Sequence, residues 1–315
     1  MALPGVARWV LGLVLGLLAC APDSGPAPAP ESAPSPDSGA SPTEPDVLSA
    51  GSDHTCYIEG AGTLACWGAG SGAGGSNDYG QSLAPAGVFE RVAAGGAHTC
   101  GIESGGALAC FGSDVWGQAT PPGGHYVAVA AGMGHSCVLD AADALSCWGW
   151  NDDGQAEAPS GLFTHVTAGS YHTCALTPEG AVACWGQDDD GQASPPSGRF
   201  LAVSAGYYHS CALDADGGVT CWGDDSLGQA SAPKSRFVAL SSGYRHTCAL
   251  DAEGGVTCWG AGQGEGGEYD FSQSLPPTGE MLAVSAGGSH TCAMAADRSV
   301  VCWGSDAVGQ SSPAE

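Results

Sequence analysis

From residue 47 onward the chain runs in short bursts of alternating apolar and polar residues, cut every few positions by glycine-rich turns. Such a two-residue period predicts half-buried strands and not amphipathic helices. Residues 200–229, FLAVSAGYYHSCALDADGGVTCWGDDSLGQ, show one complete unit. Strand A is the small-residue run through Val203, Ser204 and Ala205, halted by Gly206. Strand B runs from His209 to Leu213, and Asp214 to Gly218 form a hairpin turn. Strand C runs from Val219 to Trp222. The chain then turns at Gly223 toward a fourth, outer segment that carries the prolines, which suit an edge because they lack a ladder donor. His209, Cys211 and Leu213 fall on one face of strand B, and Ser210 and Ala212 on the other, with Thr220 and Trp222 across the pair.

The pattern recurs in register. Fourteen cysteines form pairs ten positions apart: Cys56 with Cys66, Cys100 with Cys110, Cys137 with Cys147, Cys174 with Cys184, Cys211 with Cys221, Cys248 with Cys258, and Cys292 with Cys302. Successive pairs begin 44, 37, 37, 37, 37 and 44 residues apart, a period of 37 with two seven-residue insertions. A fixed period in this range marks a propeller or a solenoid. Antiparallel meanders repeated radially predict an all-β, seven-bladed β-propeller, with small residues where inner strands crowd the axis. A parallel β-helix is the alternative, and the hairpin turns count against it. With the turn centred on Asp216, Cys211 faces Cys221 at about 4.5 Å between Cα atoms, within disulfide reach. Each bridge closes a short loop and contributes roughly 2–3 kcal/mol.

The recurring signature Gly-x-x-His-[Ser/Thr]-x-Ala-Leu, Gly-x-Val, then Trp-Gly-x-Asp-x-x-Gly-Gln resembles the repeat of the regulator of chromosome condensation family, from about residue 47 to 313. The resemblance implies a seven-bladed propeller. Relatives in that family include a nuclear guanine-nucleotide exchange factor and a secreted bacterial inhibitor of β-lactamase. The cysteine pairs depart from the nuclear member.

The first residues change the picture of where the chain works. Arg8 precedes an apolar run from Trp9 to Ala19, too short to span a bilayer and suited to a secretory leader. Leu17-Leu18-Ala19-Cys20 resembles the lipobox of bacterial lipoproteins, which implies acylation at Cys20. Ala21 after it resembles lipoproteins sent to the outer membrane. The expected division is a leader over 1–19, a lipidated Cys20 with a Pro/Ser/Ala-rich tether to residue 45, and a propeller over 46–315. The protein is thus expected to be exported and lipid-anchored in the envelope, touching the membrane through the lipid alone. Export supplies an oxidising compartment for the bridges. It also removes the chain from the intracellular GTPase that an exchange factor needs.

Composition narrows the function. Seven basic against 33 acidic residues give a formal charge of −26, which disfavours nucleic acid as a partner. His209 with Cys211 and Cys221 could form a zinc set, and the Asp-rich turns at 151–154 and 188–191 invite calcium. A hairpin bridge in an oxidising compartment and the absence of alternating calcium ligands argue against both. The repeat histidines 54, 98, 135, 172, 209, 246 and 290 are expected to brace neighbouring turns. No blade departs from the others with catalytic residue types. The expectation is therefore a non-enzyme with neither cofactor nor metal, and an exported hydrolase is the weakest alternative.

Function should sit where the units differ. The two residues before each repeat histidine vary, and Tyr171, Tyr207, Tyr208, Tyr244 and Arg245 cluster on three consecutive blades. They fall on A–B connections, which share a face with the C–D connections. The insertions lie on that face too, and they end in Asp78-Tyr79 and in Tyr269-Asp270-Phe271. Only blade seven separates them in a closed ring, so they should flank a cleft. The expected role is a surface-anchored scaffold binding a protein, or a glycan, with a structural or adhesive envelope component as the alternative.

Replacing Cys20 with Ser is expected to move the protein from the membrane fraction to the soluble exported fraction. Unchanged membrane association would remove the lipid anchor from this reading.

Overall fold

A computed structural model describes residues 47–72 and 77–313. The leader, Cys20 and the tether lie outside the described residues. Among the described residues there is no helix long and apolar enough to cross a membrane.

The chain forms seven three-stranded antiparallel sheets, each built from strands consecutive in sequence. In blade five, strand A is Phe200–Ala205, strand B His209–Asp214 and strand C Val219–Gly223. The register pairs Cys211 with Cys221 and Leu213 with Val219, as the hairpin turn dictates. All seven cysteine pairs are disulfides with Cα atoms 4.0–4.1 Å apart, one per blade. Those sulfurs are therefore spent, and the zinc alternative goes with them.

The proline-bearing fourth segment forms no ladder strand. Its only pairing among the described residues is an isolated bridge between Ala144 and Leu162. Pro121-Pro122 and Pro195-Pro196 supply no backbone donors there, so the expected fourth strand is an irregular cover.

Strand B is buried on both faces, with His209, Ser210, Cys211, Ala212 and Leu213 all inaccessible. Its outward faces meet neighbouring blades. Leu176 and Cys174 of blade four pack with Phe200, Val203 and Ala212 of blade five. Leu213 continues the series with Phe237, Ala249 and Trp259 of blade six. Each such large side chain removed from water contributes about 1.5–3 kcal/mol.

The histidines do not bond the turns beside them. Each Nε2 meets the hydroxyl that follows the histidine of the next blade, at 2.7–2.8 Å: His54 with Thr99, His98 with Ser136, His135 with Thr173, His172 with Ser210, His209 with Thr247, His246 with Thr291, and His290 with Thr55. The last pair closes the ring. Each hydroxyl donates in turn to the carbonyl of the repeat glutamine of the preceding blade, at 2.8–3.1 Å. In six blades the same carbonyl also accepts the indole Nε1–H of the next blade's tryptophan, at 2.8–3.0 Å. Blade two carries Phe111 in that place and makes no such bond.

This relay assigns the histidine tautomer. A hydroxyl has one proton, and it goes to the glutamine carbonyl, so the hydroxyl must accept from Nε2–H. Nδ1 is then a bare lone pair, and it has no partner in any of the seven rings. A neutral ring is also what burial favours. Desolvation, reinforced at several positions by neighbouring histidines, lowers the pKa to about 3 at His54, His135, His172 and His246, and to about 4 at His98, His209 and His290.

Glycine begins each A–B connection because the blades touch there. A Cβ on Gly51 would lie 2.5 Å from the Gly95 carbonyl oxygen and 2.6 Å from the His54 ring. The next amide crosses to the neighbour: Ser52 N–H donates to Gly95, and Gly288 N–H to Gly51 across the closure.

A histidine buried neutral binds fewer protons than its unfolded counterpart, whose pKa is about 6.5. The stability it contributes is complete above that pH and is lost as pH falls toward the depressed folded value. The limit is about 1.4 kcal/mol per pH unit for each ring. The melting temperature under non-reducing conditions is therefore expected to drop steeply between pH 6.5 and 5, above the carboxylate range. A flat profile there would show that the rings are not buried neutral.

Candidate binding face

The A–B and C–D connections of all blades emerge on one face, and the fold holds the C–D loops there by a repeated device. The side-chain Oε1 of each repeat glutamine accepts the backbone N–H two residues before it, at 2.8–3.0 Å. The residues so positioned are Tyr79, Trp116, Asp153, Asp190, Leu227, Phe271 and Val308. The backbone is the same each time and the side chain is free to differ.

Six of these loops place glycine between that residue and the glutamine, with φ of 79–82°. Blade six has Ser272 there at φ 62°, in the left-handed region that a Cβ disfavours. The Asp-rich turns bind themselves. Asp188 accepts from Ala193 N–H and Ser194 Oγ, and Asp225 from Ala230 N–H and Ser231 Oγ, at 2.6–2.8 Å. That is local turn chemistry and leaves no alternating ligand set.

The variable tyrosines come together. Tyr171 and Tyr207 meet edge to face at 5.3 Å with hydroxyls 3.1 Å apart. Tyr207 also contacts Tyr208 at 4.2 Å and Tyr244 at 4.9 Å. Tyr244 extends past blade seven to hydrogen-bond Ser52 of blade one. These four rings are half-buried, contrary to the expectation of exposed anchors, because each lies against the next. Burial raises the hydroxyl pKa of Tyr171, Tyr208 and Tyr244, the last two to about 12. The cluster is neutral over the ordinary pH range.

Two tryptophans extend it. Trp116 of the blade-two loop stacks on Trp150 of blade three at 5.2 Å, and Trp150 meets Tyr171 edge-on at 5.2 Å. The result is an aromatic arc from blade two to blade six. Neither tryptophan belongs to an A–B pair, where variation was sought. The signal was available at the position two before the repeat glutamine, where Trp116 aligns with Tyr79 and Phe271.

The inserted loops flank blade seven as expected. Gly288 and Ser289 of its A–B connection lie in the linings of two neighbouring cavities, as do Tyr244 and Met133. On the blade-one side, a cavity of about 390 Å³ includes Asp53, Asn77, Tyr79 and Trp116 in its wall. On the other side, one of about 230 Å³ includes Tyr207, Arg245 and Tyr269. The Arg245 guanidinium sits 3.9 Å from the Tyr269 ring centroid, a cation–π contact that ties the blade-six insertion to the tyrosine cluster. Tyr79, Trp116, Tyr269 and Phe271 are the exposed rings. Asp78 and Asp270 bind within their own loops: Asp78 accepts from Gly80 N–H at 3.4 Å, and Asp270 from Gly266 N–H at 2.6 Å.

A family model described as the regulator of chromosome condensation (RCC1) repeat matches residues 126–155, 163–192, 200–229, 237–265 and 282–310. The chain belongs to this family. Among solved structures, this RCC1-repeat propeller is similar to the ectodomain of the receptor kinase CR4 from Physcomitrella patens. The two are 25% identical with a TM-score of 0.67, over 82% of this chain and 72% of that one. The CRINKLY WD40 ectodomain of the Arabidopsis thaliana receptor kinase ACR4 is also 25% identical, with a TM-score of 0.65, over 82% and 95%. Prp20p from Saccharomyces cerevisiae shares the fold at 18% identity and a TM-score of 0.63, over 76% and 80%. No curated protein matches the chain.

Replacing Ser272 with Gly is expected to stabilise the RCC1-repeat propeller by up to about 1 kcal/mol, as relief of left-handed strain outweighs the added freedom of the unfolded chain. Chemical denaturation checks this. A destabilised variant would show that the serine side chain supports the loop.

Proposed function

We propose that the chain is a binding scaffold that takes a protein partner on the face carrying the aromatic arc, with a glycan as the alternative ligand. The observation that carries this reading is the coincidence of three things on one face. The repeats differ there, both insertions emerge there, and exposed aromatic rings border a cavity large enough for a ligand side chain. Tyr and Trp with an adjacent Arg are the residues that anchor interfaces. The fold is used for protein binding elsewhere: yeast RCC1 is found with Kap60 bound.

The reading includes the chain's setting. The lipobox-like tetrapeptide and the tether support an exported protein held by lipid at Cys20, in the outer membrane of a bacterial envelope. Binding, and not catalysis, fits a face whose carboxylates are engaged in their own turns.

The purified chain, immobilised, is expected to retain a specific envelope protein. Trp116→Ala together with Tyr269→Ala should weaken that complex by about 1–4 kcal/mol for each ring while shifting stability by less than about 0.5 kcal/mol. These exposed rings are cleaner probes than Tyr207 and Tyr244, whose truncation would also remove packing. Retention of no specific partner would favour a structural or adhesive role. Undiminished binding by the double variant would move the site off this face.

A further inference from the structure

The 390 Å³ cavity holds an electrostatic feature that the aromatic arc does not explain. The position immediately before the repeat histidine carries Ala97, Gly134, Tyr171, Tyr208, Arg245 and Ser289 in six blades. In blade one it carries an acid, Asp53, in the cavity wall. Burial raises the Asp53 pKa, so its surroundings do not stabilise the charge. Its hydrogen-bond contact is the Asn77 amide at 3.5 Å, longer than an ordinary N–H···O bond of about 2.7–3.2 Å. Among the described residues no lysine or arginine is placed against it. Arg245, which occupies the same position in blade six, is turned onto Tyr269 and lies in the wall of the other cavity.

We propose that this cavity receives the cationic side chain of a partner protein, an arginine or a lysine, which pairs with Asp53 among the rings of Tyr79, Trp116 and Tyr244. The proposal rests on the reading of this face as a partner-binding surface and names the chemistry that the partner must bring. An anion is repelled by the carboxylate. A purely apolar group would dehydrate Asp53 further without satisfying it. A metal ion lacks ligands, since among the described residues no three His, Cys, Asp or Glu side chains converge. A guanidinium or ammonium meets each feature: it neutralises the half-buried carboxylate, and aromatic rings favour a cation beside them. The family of contacts is already present in the molecule, where Arg245 lies over Tyr269. The net charge of −26 attracts a basic partner from a distance.

The test uses the purified chain with two small probes, N-acetyl-arginine methylamide and its uncharged counterpart N-acetyl-citrulline methylamide. Titration is followed by calorimetry and by tryptophan fluorescence. The arginine probe is expected to saturate with a Kd on the order of 1 mM at low salt. The citrulline probe should bind at least tenfold more weakly. Asp53→Asn should bring the arginine probe down to the citrulline level while keeping the melting temperature, because the neutral isostere removes the burial penalty. Trp116→Ala should weaken the arginine probe severalfold. Equal binding of the two probes, or undiminished arginine binding by Asp53→Asn, would overturn the proposal. The partner reading fails separately. A captured envelope protein that binds the Asp53→Asn chain as well as the parent leaves the scaffold standing and removes the cation pocket. Asp53-dependent binding of the arginine probe with no macromolecule retained does the reverse.

Discussion

The ring depends on one polar relay repeated around the axis: histidine Nε2–H to the hydroxyl of the next blade, and that hydroxyl to the glutamine carbonyl of the preceding blade. None of the disulfides crosses between blades. Each bridge stiffens its own hairpin, and the joints between blades rest on this relay and on the apolar contacts beside it. A buried hydrogen bond contributes little net, about 0.5–1.5 kcal/mol, but removing one partner leaves the others dehydrated and unpaired. The relay therefore acts more through specificity than through attraction. A blade packed out of register would strand a histidine, a hydroxyl and a carbonyl at once. The closing contact between His290 and Thr55 is chemically the same as the other six, so the ring shuts without an exchanged strand.

With the blades locked from inside, the loops are released from structural duty. The repeat glutamine serves both ends of this arrangement. Its backbone carbonyl belongs to the relay, and its side chain fixes the C–D loop above. The residue two positions earlier is thus held in place by its main chain, and its side chain can change without loss to the fold. Three blades use that freedom for Tyr79, Trp116 and Phe271. The glutamine is a mechanical link between the invariant joint and the variable face.

Charge is distributed with the same economy. Most loop carboxylates accept hydrogen bonds inside their own turns, which lowers the cost of crowding acids on one side. Asp53 is different because it sits partly buried in a cavity wall with one distant amide. Arg245, at the equivalent place across blade seven, is satisfied by an aromatic ring. The two flanks of blade seven consequently differ in sign, and the cleft has a direction.

How much of this could be read from the chain depends on how far apart the deciding partners lie. The ten-residue cysteine spacing determined the hairpin, its register and the bridges, because a two-residue period leaves one way to oppose the pair. The 37-residue period determined the number of blades, and variation against that period located Tyr171, Tyr207, Tyr208, Tyr244 and Arg245. The rest required the closed ring. The proline segment reads as a fourth strand, yet it lacks the donors to pair. Each histidine finds its hydroxyl 38 or 45 residues away, in the next blade, so local reasoning directed it to its own turn. Trp116 and Trp150 look like isolated loop residues until curvature stacks one on the other against Tyr171. The four tyrosines look exposed until neighbouring blades press their rings together. Sequence spacing set what each blade is, and the angle between blades decided which side chains meet, because that angle is a property of the packed ring and not of any repeat alone.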